Sequence, residues 1–130
     1  MIVDASALVA ILRDEPEAER FIDLIAGDQR PAMSAATWLE AAIVIDGRRD
    51  PVASASLEQL VAALEIEIPP FTVEQAKRGR EAYRLFGKGS GHPARLNLGD
   101  CFSYALAWEL QQPLLFKGTD FRLTDLPAVD

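Results

Sequence analysis

The sequence holds a single cysteine, Cys101, and a single histidine, His92. One cysteine excludes an internal disulfide and a thiolate zinc cluster, and it agrees with a reducing compartment. One histidine excludes a pair of imidazole ligands on one metal ion. We therefore interpret Cys101 as a small buried side chain and His92 as a loop residue.

Long apolar runs are also missing. No run approaches the roughly 20 residues that span a bilayer, and the start of the chain lacks the basic region and cleavage site of a signal peptide. We expect no leader, no membrane contact and a cytoplasmic location. With 130 residues, 49% of them hydrophobic and 25% charged, the chain resembles one ordinary globular domain, so we predict a single domain over residues 1–130.

An excess of positive charge is missing as well. The net charge of −7 argues against a simple nucleic-acid coat, because such proteins bind through surplus lysine and arginine. Residues 77–95 nevertheless carry only one acid, Glu81, among a group of basic residues that we call the basic strip: Lys77, Arg78, Arg80, Arg84, Lys88 and Arg95. Two interpretations stay open, binding of a phosphate backbone or a solvated helix face followed by a polar loop.

Short apolar segments alternate with segments of helical periodicity. Strands are predicted near residues 1–3, 31–33, 65–68 and 113–116, and helices over 5–12, 16–26, 35–46, 54–64, 72–86 and 98–111. We interpret residues 47–51 as a loop. Strands that alternate with helices predict an α/β fold, in which a mostly parallel sheet is covered on both faces.

Four carboxylates occupy special places in this pattern. Asp4 and Asp120 directly follow strands, Glu40 lies within a mostly apolar helix, and Asp100 begins another. The carboxyl ends of the strands in an open α/β sheet border the ligand crevice, so these places can converge. Because acids gathered in a cleft repel one another unless a cation compensates, the pattern indicates a bound hard metal, Mg²⁺ or Mn²⁺. Such a site suits the attack of an activated water on phosphorus.

Each acid also has a simpler interpretation. Asp4 and Asp100 suit helix caps, Glu40 suits an exposed helix position, and Asp120 suits a turn. The four acids together account for four of the seven excess negative charges of the chain. Any one of the four acids could have only its simple role, but it is less plausible that all four do.

Four stretches resemble a PIN-domain protein of the VapC toxin type, and together they cover essentially the whole chain. They are Val3-Asp4-Ala5-Ser6-Ala7-Leu8, Glu40 after Ser34 and Thr37, the run from His92 through Asp100 to Ala107, and Leu114 through Asp120 to Phe121. One departure lies at Phe116-Lys117-Gly118, where many relatives carry Ser or Thr and then Asn or Asp.

The resemblance implies a PIN-like three-layer sandwich with a central, mostly parallel sheet of about five short strands. It implies an Mg²⁺- or Mn²⁺-dependent endoribonuclease that hydrolyses RNA phosphodiester bonds as the toxin of a type II toxin-antitoxin pair. The implied partners are a VapB-like antitoxin, whose C-terminal segment covers the active site, and a second copy of the chain. By position, Asp4, Glu40 and Asp100 match the metal-binding acids, Asp120 the fourth acid, and Ser6 the hydroxyl residue beside the first.

Three other classes of protein share some of these features. A phosphoacceptor receiver domain needs a carboxylate pair after the first strand and an acceptor Asp after the third, and residues 53–57 offer no acceptor. A haloacid-dehalogenase-type phosphatase needs a second Asp where Ser6 stands. A PIN-fold module that binds RNA or protein without catalysis stays as the alternative, although the three core acids favour an enzyme.

Overall fold

The computed structural model describes residues 1–129. Its elements in chain order are β1 (Ile2–Val3), α1 (Ala5–Leu12), α2 (Ala18–Ala26), α3 (Ala35–Asp46), α4 (Pro51–Ala63), α5 (Val73–Phe86), α6 (Leu98–Leu110), β2 (Leu114–Leu115) and a 3-10 helix (Asp120–Leu123). None of the helices within residues 1–129 combines the length and the apolar character needed to cross a membrane.

The sheet is parallel and very short in the strand direction. Strands β1 and β2 pair with Ile2 opposite Leu114. Single parallel bridges extend this row, from Ile2 to Ala32 and on to Glu67 on one side, and from Leu114 to Ala128 on the other. Five parallel segments of the chain therefore lie side by side, although within residues 1–129 only β1 and β2 are regular strands.

Proline explains why the predicted strands are so short. Pro31, Pro69, Pro113 and Pro127 each lie within two residues of a bridge position. Proline has no backbone N–H to donate, so it enters the ladder only as an acceptor, as the carbonyls of Pro31, Pro113 and Pro127 do. The prediction of a mostly parallel α/β fold is confirmed, with three of the five sheet positions reduced to single bridges.

Two hydrophobic clusters lie on opposite faces of the sheet. Val3 and Leu115 pack with the apolar residues of α1 to α4. Ile2 and Leu114 pack with those of α5 and α6. Neighbouring strand residues point to opposite faces, so this division places helices on both sides of the sheet. The predicted three-layer arrangement is confirmed.

Two helix starts differ from the prediction. Helix α4 begins at Pro51 rather than near residue 54, so the predicted loop ends one residue early. The carboxylate of Asp50 accepts a hydrogen bond from the Val52 N–H at 3.0 Å. Proline suits the first helical position because an N–H there would have no partner within the helix, and proline has none. Helix α2 begins at Ala18, two residues after Pro16.

Candidate active site

Asp4 stands at the point where β1 ends and α1 begins. Its Oδ2 accepts hydrogen bonds from the backbone N–H of Ser6 at 3.0 Å and from the Ser6 hydroxyl at 2.6 Å. Its Oδ1 accepts a hydrogen bond from the Ser103 hydroxyl at 2.5 Å. Only 4% of Asp4 is exposed. Asp4 is therefore the cap of α1 and, at the same time, a buried carboxylate held by three donors.

Ser6 connects this carboxylate to the segment that follows the neighbouring parallel strand, β2. Besides donating to Asp4, the Ser6 hydroxyl accepts a hydrogen bond from the backbone N–H of Lys117 at 3.0 Å. Lys117 lies two residues after β2, within the stretch that departs from the family pattern. Its ammonium group pairs with Glu15 and, at 3.3 Å, with Glu17. Although the side chains at residues 116–118 differ from the family pattern, the backbone N–H of Lys117 thus still holds the hydroxyl that donates to Asp4.

Glu40 is half-buried in α3, and its carboxylate lies against the start of α6. A Cβ atom added at Gly99 would lie 1.7 Å from Oε2 of Glu40. The carboxylate can approach α6 this closely only because residue 99 is a glycine, which has no side chain. Burial, together with the negative charges of Asp4 and Asp100, raises the pKa of Glu40 to about 7. Glu40 therefore faces the site rather than bulk water.

Asp100 caps its own helix. Its Oδ2 accepts a hydrogen bond from the Asn97 N–H at 3.0 Å, and its backbone N–H donates to Oδ1 of Asn97 at 2.9 Å, which forms a capping box. The pKa of Asp100 is raised to about 6, mainly by burial. The hydrogen bond from the Asn97 N–H opposes the rise, and the charges of Asp4 and Asp120 contribute to it. Like Asp4, Asp100 therefore both caps a helix and interacts with the other acids of the site.

Asp120 begins the 3-10 helix and is exposed. Its charge contributes to the raised pKa of Asp100, so the two carboxylates lie within electrostatic reach of each other. The structure therefore brings the four predicted acids together electrostatically: Glu40 interacts with Asp4 and Asp100, and Asp100 interacts with Asp4 and Asp120.

The chemistry of these donors fits a hard divalent cation, although the ligand set is open. No group of three or more histidine, cysteine or acidic side chains within residues 1–129 is arranged closely enough to hold a metal ion as it stands. All four predicted ligands nevertheless offer carboxylate oxygens, the donors that Mg²⁺ and Mn²⁺ prefer. Burial and like charge penalise the ionised forms of Glu40 and Asp100, a penalty that a bound cation relieves.

The basic strip divides into two parts. Arg80, Arg84, Lys88 and Arg95 are exposed. Arg78 is instead engaged with the protein: its guanidinium carbon lies 3.3 Å from the centroid of the Trp108 ring, and Nη1 lies 2.8 Å from a carboxylate oxygen of Glu81. The exposed members remain candidates for contact with RNA phosphates, whereas Arg78 joins α5 to α6.

Two surface grooves meet at the start of α6. A groove of about 560 Å³ is lined in part by Arg80, Lys88, Asn97 and Leu98. A second groove of about 420 Å³ shares Asn97 and Leu98 and contains Glu40. Arg80 and Lys88 therefore line a groove that adjoins the groove of Glu40.

Sequence and structure comparisons relate this chain to known proteins. The PIN domain family model matches residues 1–126. The chain belongs to the PIN domain family. This PIN domain is similar to Ribonuclease VapC28 of Mycobacterium tuberculosis, with 52% identity over 121 residues that cover 93% of the chain and 91% of the relative. The resemblance to VapC-type proteins predicted from the motifs is confirmed.

Solved structures share the fold of this PIN domain at lower identity. One is M. tuberculosis VapC20, a sarcin-ricin-loop-cleaving toxin, with a TM-score of 0.77 and 15% identity over 98% of this chain and 97% of that one. Another is a toxin-antitoxin complex from Klebsiella pneumoniae, with a TM-score of 0.68 and 20% identity over 92% of this chain and 88% of that one. At these identities the likeness confirms the fold.

Three residues that shape the site of this PIN domain received no role from the sequence. They are Thr37, Gly99 and Ser103. Thr37 precedes Glu40 by three residues, and Ser103 follows Asp100 by three, so each shares a helix face with an acid. That spacing is a signal that the sequence contains. The close approach of Glu40 to Gly99 has no such signal, because it joins two helices far apart in the chain.

Proposed function

We propose that this PIN domain is a metal-dependent endoribonuclease and the toxin of a type II toxin-antitoxin pair. The observation that carries the proposal is the electrostatic coupling of Asp4, Glu40 and Asp100, delivered by β1, α3 and α6 to one place. The 52% identity to a relative named as a ribonuclease, over nearly the full length of both chains, supports the same activity.

Asp4, Glu40, Asp100 and Asp120 would hold an Mg²⁺ or Mn²⁺ ion through their carboxylate oxygens. When bound, such an ion supplies an activated water for attack on phosphorus and neutralises charge on the leaving oxygen. The protein's own contribution is to fix the acids before RNA arrives. Asp4 is held by its three donors, and Asp100 is held by its capping box.

Glu40 completes this arrangement. Without an ion, burial and the charges of Asp4 and Asp100 raise its pKa to about 7, and a bound cation would lower it again by favouring the ionised form. The position of its carboxylate against Gly99 keeps it at the start of α6, beside Asp100. We assign Glu40 to ion binding.

RNA would lie along the two grooves, with its backbone phosphates near Arg80, Arg84, Lys88 and Arg95. Basic side chains beside a groove attract the backbone of single-stranded nucleic acids, and the affinity falls as salt rises. With a net charge of −7 the chain as a whole does not attract phosphate, so this attraction depends on the local basic side chains.

The same surface supports a protein partner. Leu39 is 54% exposed, Ile43 63% and Leu98 71%, and all three line the groove that contains Glu40. Apolar side chains grouped at a functional groove mark a site that another protein covers. We assign this surface to the C-terminal segment of a VapB-like antitoxin, which would block access of RNA. The assembly we propose is a cytoplasmic homodimer of this chain that forms a hetero-oligomer with the antitoxin.

RNA cleavage by the purified protein tests the proposed activity. We expect cleavage of single-stranded RNA with added Mg²⁺ or Mn²⁺, and none in EDTA. Asp4→Asn and Glu40→Gln should each lower the rate by about 100-fold or more, since replacing even the partner of a metal ligand typically costs about 10–100-fold. Glu58→Gln, which changes an exposed acid of α4, is the matched control and should leave the rate unchanged.

Two results would contradict the proposal in different ways. Cleavage that continues at the same rate in EDTA would exclude the metal mechanism. Binding of RNA by the unaltered protein without cleavage in either metal would instead support the alternative of a PIN-fold binding module.

A further inference from the structure

Two fully buried hydroxyl groups lie behind the acids. Thr37 and Ser103 are both 0% exposed. The Ser103 hydroxyl donates to Oδ1 of Asp4 at 2.5 Å, and the Thr37 hydroxyl lies 3.3 Å from the Ser103 oxygen. A hydroxyl has one proton, and that of Ser103 is used on Asp4, so Thr37 is the donor to Ser103. The result is a directed chain from Thr37 through Ser103 to Asp4.

This chain joins the three elements that carry the central acids. Thr37 lies on α3 one turn before Glu40, and Ser103 lies on α6 one turn after Asp100. Asp4 follows β1. Residues three apart on a helix share a face, so each hydroxyl moves together with the acid on its own helix. Helix α6 is therefore hydrogen-bonded to the Asp4 carboxylate directly, and α3 is linked to it through Ser103.

The direction of these hydrogen bonds is unusual for helical hydroxyls. Serine and threonine within a helix commonly donate to the backbone carbonyl four residues earlier, which satisfies the buried hydroxyl locally. Here both bonds instead run between elements and end on a carboxylate. Burial alone requires only that each hydroxyl has some partner, so it does not explain why the partner is the first acid of the site.

The remaining acceptor capacity of Asp4 shows what this arrangement controls. An ionised carboxylate offers about four acceptor positions. Ser6 fills both positions on Oδ2, and Ser103 fills one on Oδ1. The position left for a ligand lies on Oδ1, the oxygen that Ser103 holds. The orientation of the Ser103 hydroxyl thus sets the direction in which Asp4 can bind a cation.

We propose that Ser103 and Thr37 are positioning residues, which hold the free acceptor position of Asp4 toward the divalent cation of the site. This inference rests on the proposed function. Ser103 acts directly on Asp4, and Thr37 acts through Ser103. Neither residue touches substrate. Their role resembles that of the partners that orient ligands around metal ions, whose loss typically costs about 10–100-fold in metal affinity or activity.

The test compares the full-length variants Ser103→Ala, Thr37→Val and Thr37→Ser, with Ser56→Ala as the control for loss of a hydroxyl on α4. Mn²⁺ affinity is measured by titration calorimetry without RNA, and kcat and KM are measured for cleavage. We expect Ser103→Ala to weaken Mn²⁺ binding and lower kcat by about 10–100-fold, with KM for RNA unchanged. Thr37→Val should shift both values in the same direction by less, and Thr37→Ser should restore them, because it keeps the hydroxyl.

The double variant separates positioning from mere packing. If Thr37 acts through Ser103, adding Thr37→Val to Ser103→Ala should cause no further loss, whereas independent packing effects would add. Thr37→Val keeps the shape of the side chain, so the comparison stands even where Ser103→Ala fails to fold. Wild-type Mn²⁺ affinity in Thr37→Val, or additive losses in the double variant, would overturn the inference. If the unaltered protein neither bound Mn²⁺ nor cleaved RNA, the proposed function would be overturned, and the inference with it.

Discussion

At the scale of single residues, the site depends on side chains that are small as much as on those that are charged. Gly99 leaves the space that the Glu40 carboxylate fills, and the hydroxyls of Ser6 and Ser103 hold the two oxygens of Asp4. Burial and neighbouring negative charges raise the pKa values of two of the acids, Glu40 to about 7 and Asp100 to about 6. Changes at these positions should therefore affect activity and stability in different directions.

Gly99→Ala should separate the two properties. The added Cβ would collide with the Glu40 carboxylate, the mobile end of a flexible side chain, so Glu40 should move away at little cost to the fold. Alanine also favours a helix over glycine by about 1 kcal/mol. We expect unfolding in urea to be unchanged or slightly harder, while RNA cleavage falls to the level of Glu40→Gln. The double variant should lose nothing more; a Gly99→Ala protein with full activity would contradict the assigned position of Glu40.

The raised pKa values predict how the metal-free protein responds to pH. In EDTA, the folded chain keeps protons on Glu40 and Asp100 up to about pH 7 and 6, whereas the ordinary values for these groups are 4.5 and 3.8. The unfolded chain thus binds fewer protons in this interval, so the free energy of unfolding should fall as pH rises from about 4.5 to 7. Urea unfolding of Glu40→Gln should depend less on pH over this interval, and equal pH dependence of both proteins would contradict the pKa assignment.

At the scale of elements, α5 presents two different basic surfaces. Arg80 and Arg84 are exposed and lie one turn apart on one face of the helix. Arg78 packs over Trp108 of α6 and pairs with Glu81. Arginine over an aromatic ring contributes about 0.5–2 kcal/mol, depending on its exposure. One basic strip in the sequence therefore has both a solvent-facing part and a structural part.

Charge reversal and charge removal should distinguish these two parts. Arg80→Glu with Arg84→Glu should weaken RNA binding and flatten its dependence on salt, because each lost phosphate contact lowers the slope by about 0.7 for a single strand. Arg78→Gln should leave RNA affinity nearly unchanged and lower the free energy of unfolding by about 1 kcal/mol. Fluorescence anisotropy at several salt concentrations and urea unfolding measure the two effects. Equal loss of RNA affinity in both proteins would show that Arg78 belongs to the binding surface.

Helices could be predicted more closely than strands or contacts. The bounds of α1, α3 and α6 agree with the predictions to within a residue, because apolar spacing coincides with a polar cap at Asp4, Ser34 and Asn97. The strands could not be delimited, since prolines reduce most of them to single bridges. The geometry of parallel sheets predicted only that Asp4 and Asp120, which follow strands, would lie at the same edge. The contacts of Ser103 with Asp4 could not be predicted in this way, because they depend on how distant helices pack.

At the scale of the whole molecule, the acids come from elements spread over almost the entire chain. Asp4 and Asp120 are separated by more than a hundred residues and follow the two central strands, while Glu40 and Asp100 come from helices on opposite faces of the sheet. The site therefore lies where the three layers meet. Anything that binds all four acids also holds these layers together.

Cation binding should consequently stabilise the molecule as a whole, without RNA. A ligand that binds only the folded state raises the free energy of unfolding by about 2.7 kcal/mol at a hundred times its Kd. We expect Mn²⁺ to raise the melting temperature, and to do so more at pH 8 than at pH 5, because protons on Glu40 and Asp100 compete with the ion at the lower pH. The Asp4→Asn and Glu40→Gln proteins should show little or no shift, and Glu58→Gln should respond like the unaltered protein. A shift of the same size in all of these proteins would place the ion elsewhere on the surface, and the acids would then need another explanation for their convergence.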